Sequence, residues 1–141
     1  MTKTEPTVIG EGVRRTMIVG VGTDLVSIPR MRAVLARYRD RLCRRLYTAE
    51  ERAEGDERPL PELHFASRFA AKEAVLKALG TGWGAGVAWR EVEIVGPRGR
   101  PPEVKLSGRA RLVAEERGIR YLHLSLSHDG DYAVAFVVAT D

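Results

Sequence analysis

The chain has 141 residues, of which 44% are hydrophobic and 30% charged, and it carries a net charge of +4. This length fits one domain that can bury a core, and the composition is typical of a soluble globular protein and not of a disordered one. No apolar run approaches the ~20 residues of a membrane span. Cys43 is the one cysteine, which excludes an internal disulfide and, with three histidines, argues against an all-protein zinc site. We therefore expect an intracellular, cytoplasmic protein with a loose leader over residues 1–16 and a single domain over 17–141.

Positive charge is concentrated in one segment. Between Arg30 and Arg45 there are seven arginines and one acid, Asp40, so this segment carries +6 and the rest of the chain −2. Such a patch is either a solvated helix face or a docking surface for an acidic partner such as nucleic acid, an acidic protein or a phosphate-rich ligand.

The first half of the chain reads as one strand and several helices. Hydrophobic periodicity predicts a buried strand over 17–26 and a long amphipathic helix from Pro29 to Leu46. Thr48 and Glu51 form a capping box, and a polar loop follows over 55–61. A second long helix runs from Glu62 to Leu79 and is ended by Gly80.

The period changes in the second half. Residues 80–86 are too rich in glycine for a regular element. Beyond them we expect a strand over 87–95, a turn over 96–99 and a second strand over 103–106. A helix capped by Ser107 should end before Gly118, and strands 121–127 and 132–139 should form a hairpin around Asp129-Gly130. Strands and helices are mixed and at least one hairpin is present, so the fold class is α+β.

Two acids lie on apolar elements. On a helical wheel Glu73 falls about 40° from Phe69, on the apolar face, and Asp24 sits in the buried strand pattern. A carboxylate facing a core needs a partner, and Lys72 or Lys77 could supply a structural ion pair. If Asp24 and Glu73 meet, a cation between them is required, and few hard oxygen ligands suit Mg²⁺ with phosphate as a further ligand.

The arginines of the predicted first helix lie mainly on one flank of its apolar stripe. Arg30, Arg37, Arg41 and Arg44 fall within about 60° of one another and span roughly 21 Å. This row suits an acidic helix or a nucleic-acid backbone equally well. A basic nucleic-acid-binding module and a magnesium phosphohydrolase therefore remain as alternatives.

Five motifs occur in a fixed order from Met17 to Ala139. They are Gly20-Val21-Gly22-Thr23-Asp24 followed by Arg30, Arg68-Phe69-Ala70-Ala71-Lys72-Glu73-Ala74 with Lys77, Gly80-Thr81-Gly82, Gly99-Arg100-Pro101, and Leu126-Ser127-His128 with Tyr132-Ala133. With these motifs the chain resembles the holo-acyl-carrier-protein synthases, the small class of 4′-phosphopantetheinyl transferases.

The resemblance implies a reaction and the residues that perform it. The enzyme would move the phosphopantetheine arm of coenzyme A onto a serine hydroxyl of an apo acyl carrier protein and release adenosine 3′,5′-bisphosphate. Asp24 and Glu73 would hold Mg²⁺, and Lys72 would be a third catalytic residue, in contact with phosphate or assisting the proton transfer. A metal-bound water, Glu73 and Lys72 are all candidates for the general base. Coenzyme A would be bound by Arg68, Lys72, Lys77, Gly80, Thr81, Gly82 and His128.

The resemblance also implies partners. Arg30 and Arg37 match family positions that meet the acidic recognition helix of the carrier protein, and wheel geometry adds Arg41 and Arg44 to this docking row. The implied architecture is one antiparallel sheet packed on a long helix, assembled as a homotrimer with active sites between subunits. This interpretation places the protein in lipid metabolism, leaves fatty-acid and polyketide carrier proteins open, and expects neither nucleic acid nor membrane as a partner.

Overall fold

The computed structural model describes residues 15–96 and 99–141, so the leader up to residue 14 and residues 97 and 98 of the predicted turn lie outside the described residues. The fold is mixed α+β, as predicted. Its elements are β1 (Ile18–Ser27), α1 (Ile28–Leu46), α2 (Ala49–Asp56), α3 (Pro61–Leu79), β2 (Val92–Val95), β3 (Glu103–Leu106), α4 (Gly108–Glu116), β4 (Tyr121–Asp129) and β5 (Tyr132–Thr140). Of the helices in these ranges, none is long and apolar enough to cross a membrane.

The strands form two antiparallel sheets in the described chain, where the sequence predicted one. β1, β5 and β4 make a three-stranded sheet in that order, while β2 and β3 pair only with each other. The second edge of β2 is satisfied by side chains: Ile94 N–H donates to Glu51 Oε2 at 3.0 Å, and Lys72 Nζ donates to the Val92 carbonyl. Because these groups take the place of a neighbouring strand, β2 does not extend the larger sheet.

Helix α3 packs so closely against the three-stranded sheet that no side chain fits between it and β1 at two positions. The inward face of β1 presents Gly20 and Gly22, and a Cβ atom at either position would collide with the carbonyl oxygen of Ala78 or Ala74 in α3. Glycine is therefore required at both positions, since no side chain fits between the strand and the helix.

Local signals placed most helix ends correctly. Ser27 caps α1 by accepting from Arg30 N–H at 3.3 Å, and the Thr48–Glu51 capping box is present at the start of α2. Gly80 ends α3 with a φ of 76°, in the left-handed region. In α1, however, Tyr38 has non-helical dihedral angles (φ −133°, ψ 26°), so the helix is kinked at its middle.

Two predictions in the second half need correction. Strand β2 starts only at Val92, because residues 89–91 form a 3₁₀ turn in which Ala88 N–H donates to Glu91 Oε1 at 2.6 Å. Helix α4 starts after Ser107, as predicted, but the Ser107 hydroxyl makes no capping hydrogen bond. The side chain of Glu91 accepts from Arg109 N–H in its place.

On the outer face of the three-stranded sheet, the side opposite α3, β1 and β5 present apolar side chains that are exposed or partly exposed in the single chain. They are Val21 opposite Val138 and Leu25 opposite Val134, with Phe136 between them. Leu25 is 61% exposed and Phe136 48% exposed. Contiguous exposed apolar surface of this kind is typical of interaction sites.

Candidate active site

Asp24 and Glu73 line the same cavity. The sequence alone did not determine whether these two residues lie close together. Asp24 is on the inward face of β1, two residues beyond Gly22, and Glu73 comes just before Ala74, the residue of α3 that Gly22 touches. The cavity they share has a volume of about 640 Å³, and Arg30 at the start of α1 also lines it. We refer to it as the carboxylate cavity; its remaining wall is largely apolar, including Met31 and Phe69.

Lys77 lies beside Asp24. Its Nζ donates to the Thr23 carbonyl at 2.8 Å and to Asp24 Oδ1 at 3.3 Å. The Lys77 side chain is half exposed, while that of Asp24 is mostly buried. Lys77 therefore offers positive charge at the edge of the carboxylate cavity, where a phosphate group could reach it.

Lys72, predicted as a catalytic and coenzyme A-binding residue, does not line this cavity. It is fully buried, and its Nζ donates to Glu51 Oε1 at 2.8 Å, to the Trp89 carbonyl at 3.1 Å and to the Val92 carbonyl. An ammonium group has three donors, so all of them are used inside the protein. Burial lowers the pKa of Lys72, and the carboxylate of Glu51 opposes that shift.

Glu51 is the important residue that the sequence interpretation missed, because its capping role already accounted for an acid at that position. Its side chain is completely buried and accepts from Thr48 N–H at 2.8 Å, from Lys72 and from Ile94 N–H. No local pattern in the sequence connects Glu51 with Lys72, since they come from different helices.

Arg68 and His128 meet in a second cavity of about 370 Å³, which Arg58 and Arg100 also line. We refer to it as the arginine–histidine cavity. His128 is in phase with Leu126 along β4, as predicted, and it is exposed. The Nε atom of Arg68 is buried and has no hydrogen-bond partner in the described part of the chain. Burial lowers the pKa of the Arg68 guanidinium, and the nearby Glu54 opposes that shift. Arg58 was missed by the sequence interpretation, while Arg100 belongs to one of the motifs that carried the resemblance.

The two cavities lie on different sides of α3. They have no lining residue in common. Arg68 and Glu73 are five residues apart in α3, which separates them by about 140° around the helix axis. One chain therefore presents its carboxylates and its arginine–histidine cavity in different directions.

The predicted coenzyme A residues Gly80, Thr81 and Gly82 follow α3 and line neither cavity. Gly80 and Gly82 have φ values of 76° and 54°, which glycine adopts without strain. The Thr81 hydroxyl is buried and has no hydrogen-bond partner within the described ranges. The guanidinium of Arg117, a residue without a predicted role, lies over Gly80.

The arginine row of α1 is exposed, and its kink separates Arg30 and Arg37 from Arg41 and Arg44. The arginines of the other flank are paired: Arg32 with Glu62 at 3.4 Å and Arg39 with Asp56 at 2.7 Å. The four arginines of the row make no ion pair with the described residues. This unpaired charge sits next to the carboxylate cavity, because Arg30 belongs to both.

The donor set of the carboxylate cavity fits Mg²⁺. Within residues 15–96 and 99–141 no group of three or more His, Cys, Asp or Glu residues is arranged to hold a metal ion. Mg²⁺ does not need such a group, because it keeps several waters and is bound by one or two carboxylates together with substrate phosphates. Asp24 and Glu73 are two such carboxylates.

Residues 20–137 match the family model of the 4′-phosphopantetheinyl transferase superfamily. The chain is 50% identical over 123 residues to the holo-acyl-carrier-protein synthase of Desulforudis audaxviator (strain MP104C), an alignment that covers 87% of this chain and 93% of the relative. It is 44% identical over 122 residues to the synthase of Geotalea daltonii, covering 86% and 98% of the two chains.

Solved structures give the same picture. The holo-acyl-carrier-protein synthase of Neisseria meningitidis superposes with a TM-score of 0.79 at 37% identity, covering 87% of this chain and 98% of that one. The Helicobacter pylori synthase in complex with coenzyme A superposes with a TM-score of 0.73 at 28% identity, covering 84% and 98%.

Proposed function

The chain belongs to the 4′-phosphopantetheinyl transferase superfamily, and we propose that it is a holo-acyl-carrier-protein synthase. It transfers the phosphopantetheine arm of coenzyme A to a serine hydroxyl of an apo acyl carrier protein in the cytoplasm and releases adenosine 3′,5′-bisphosphate. The observation that carries this proposal is the carboxylate cavity, which is lined by both Asp24 and Glu73 and by Arg30 of the arginine row, with Lys77 bound to Asp24.

The residues of this cavity match the charges of the reaction. The serine hydroxyl gives up its proton to a base, for which Glu73 stays a candidate, and its oxygen forms a bond to the phosphorus that carries pantetheine. The bond from that phosphorus to the adenosine-side phosphate oxygen breaks, and adenosine 3′,5′-bisphosphate leaves. Asp24 and Glu73 would hold Mg²⁺, which would neutralise the pyrophosphate. Lys77, which donates to Asp24, would bind a phosphate oxygen. The three donors of Lys72 are used inside the protein, so we assign it no direct role in the proton transfer.

Coenzyme A extends beyond one chain in this proposal. Arg68 and His128 would bind its adenosine end or its phosphates, yet their cavity faces away from the carboxylates of the same chain. We therefore propose that a neighbouring subunit supplies the arginine–histidine cavity in a homotrimer. The exposed outer sheet face supports this assembly, because it offers an apolar surface for subunit contact.

The carrier protein would dock on α1. Arg30, Arg37, Arg41 and Arg44 are exposed and unpaired within the described chain, so they can pair with acids of a recognition helix. The kink at Tyr38 separates the row into two pairs, which suits a partner that contacts each half of α1 separately. Arg30 lines the carboxylate cavity and so connects the docking row to the site where the serine would react.

The test combines transfer with one substitution. The protein is incubated with an apo acyl carrier protein, coenzyme A and Mg²⁺, and the carrier is weighed by mass spectrometry. We expect a gain of one phosphopantetheine and a dependence on Mg²⁺. Glu73→Gln should lower kcat by about a hundredfold or more, because it removes charge that acts on the reacting phosphate.

The matched control is Glu62→Gln, the same change on the same helix at a residue outside the carboxylate cavity, and it should keep near-normal rates. Absence of transfer to every carrier protein tried would overturn the proposal. Release of inorganic phosphate from simple esters would instead support a phosphohydrolase, and tight, steeply salt-dependent binding of DNA or RNA would support a nucleic-acid-binding module.

A further inference from the structure

The buried pair of Glu51 and Lys72 is next to the carboxylate cavity but is not part of it. Both side chains are fully buried, and their charged atoms lie 2.8 Å apart. Replacing a buried ion pair with apolar residues is often neutral or stabilising, so stability alone does not explain such a pair. The hydrogen bonds of the pair show which parts of the protein it holds in place.

The pair joins four elements through hydrogen bonds. Glu51 in α2 accepts from Thr48 N–H and, in β2, from Ile94 N–H. Lys72 in α3 donates to the Trp89 carbonyl in the 3₁₀ turn and to the Val92 carbonyl in β2. The rotation of α3 about its axis is therefore fixed relative to α2 and β2.

One of these contacts leads directly to the carboxylate cavity. The ring of Trp89 stacks on the ring of Phe69, with centroids 5.0 Å apart and an angle of 27° between the planes. Phe69 lines the carboxylate cavity and is one helical turn before Glu73. By holding the Trp89 backbone, Lys72 is therefore connected, through the ring stack, to a side chain that lines the same cavity as Glu73.

Lys72 and Glu73 are also neighbours in the sequence, so a rotation of α3 that moves one moves the other by the same angle. On the opposite side of the helix, Gly20 and Gly22 fix the distance between α3 and the sheet, but they bring no side chain that would fix its rotation. The buried pair supplies that second restraint.

We propose that Glu51 and Lys72 are positioning residues of the transfer reaction, which hold α3 and the Trp89–Phe69 stack so that Glu73 faces Asp24. This inference rests on the proposed function, because it assigns the pair a role in shaping the Mg²⁺ site. Replacing a residue that orients metal ligands without binding the metal itself typically changes metal affinity by about 10–100-fold.

The test uses Mn²⁺ as the metal probe, with binding followed by electron paramagnetic resonance in the presence of coenzyme A. The central variant is the double substitution Glu51→Met with Lys72→Met, which leaves no unpaired buried charge. We expect a midpoint of thermal unfolding close to that of the unsubstituted protein, together with Mn²⁺ binding weakened about tenfold or more. A double variant with unchanged Mn²⁺ affinity and unchanged kcat would overturn the proposal.

A second pair of variants keeps the test decisive if the double variant does not fold. Trp89→Leu removes the ring stack but keeps the backbone carbonyl that Lys72 binds, and Trp89→Phe keeps an aromatic ring at the same position. We expect weaker Mn²⁺ binding for Trp89→Leu and near-normal binding for Trp89→Phe. Equal, undiminished affinities in both variants would contradict the proposed route through Phe69.

These outcomes are distinct from failure of the proposed function. If the unsubstituted protein binds no Mn²⁺ in the presence of coenzyme A, the metal assignment itself is wrong. If it binds Mn²⁺ and transfers phosphopantetheine while the variants behave alike, only the positioning role is wrong.

Discussion

Lys72 and Glu73 are adjacent in α3 and yet have opposite surroundings. Lys72 is enclosed by Glu51 and two backbone carbonyls, whereas Glu73 reaches a cavity large enough for a ligand. On a helical wheel Lys72 falls between Phe65 and Leu79, both of which are buried. A lysine at such a position must have its charge compensated inside the protein, and Glu51 provides that compensation.

His64 provides a test at the scale of a single residue. Its ring nitrogen Nε2 lies 3.3 Å from the Glu51 carbonyl oxygen, so this nitrogen carries a proton and donates to the carbonyl. Burial, assisted by the positive charge of Arg68, lowers the pKa of His64 from 6.5 to about 4.

Because the folded state binds this proton less readily than the unfolded state, the contribution of His64 is fully present above pH 6.5. It is lost as the pH falls toward 4 and amounts to about 3 kcal/mol at most. We expect the free energy of unfolding, measured with urea, to fall over this range. In His64→Gln the fall should be smaller by the His64 contribution; the same pH slope in both proteins would contradict the assignment.

At the scale of elements, the long periodic segments and the short strand β3 were predictable, whereas the start of β2 was not. The spacing of apolar residues and the caps located α1, α3 and the β4–β5 hairpin within a few residues. The start of β2 was missed because its neighbouring residues make a 3₁₀ turn, and its lack of a third strand was missed because Glu51 and Lys72 occupy that edge. Such side-chain contacts over long sequence distances leave no periodic signal.

The docking role of α1 is tested by charge reversal. Arg37→Glu should raise KM for the carrier protein about tenfold, equivalent to about 1.4 kcal/mol, because an attractive contact becomes repulsive. KM for coenzyme A should change little, and the salt dependence of carrier binding should weaken. The control is Arg120→Glu, which makes the same change in net charge outside α1. Equal effects on both substrates would show that Arg37 is not a docking residue.

At the scale of the whole molecule, the predicted site residues of one chain are divided between two cavities. Asp24 with Glu73 and Arg68 with His128 were predicted from the sequence, but the sequence could not show that these pairs line separate cavities. Their separation follows from the rotation of α3 and from strand register, which only the assembled fold fixes. The exposed outer sheet face gives the physical reason to expect a second subunit.

Assembly is tested by placing a charge on that face. Phe136→Asp should convert a trimer into monomers in light scattering and abolish transfer, while circular dichroism stays unchanged, because a carboxylate in an apolar contact remains without a partner. Leu112→Asp is the matched control: Leu112 is 50% exposed on α4, away from the sheet face, and the change should leave the trimer intact. An unsubstituted protein that is monomeric and fully active would refute the proposed assembly.

The glycine contacts between β1 and α3 have a practical consequence for engineering. Asp24 is carried by β1 and Glu73 by α3, and backbone atoms set the distance between these two elements. A Cβ atom at Gly20 or Gly22 would strike a carbonyl of α3. Redesign of apolar side chains elsewhere in the core can therefore alter heat resistance without bringing these backbones closer. Even an alanine at position 22 would push them apart, so we would exclude both glycines from any randomised library.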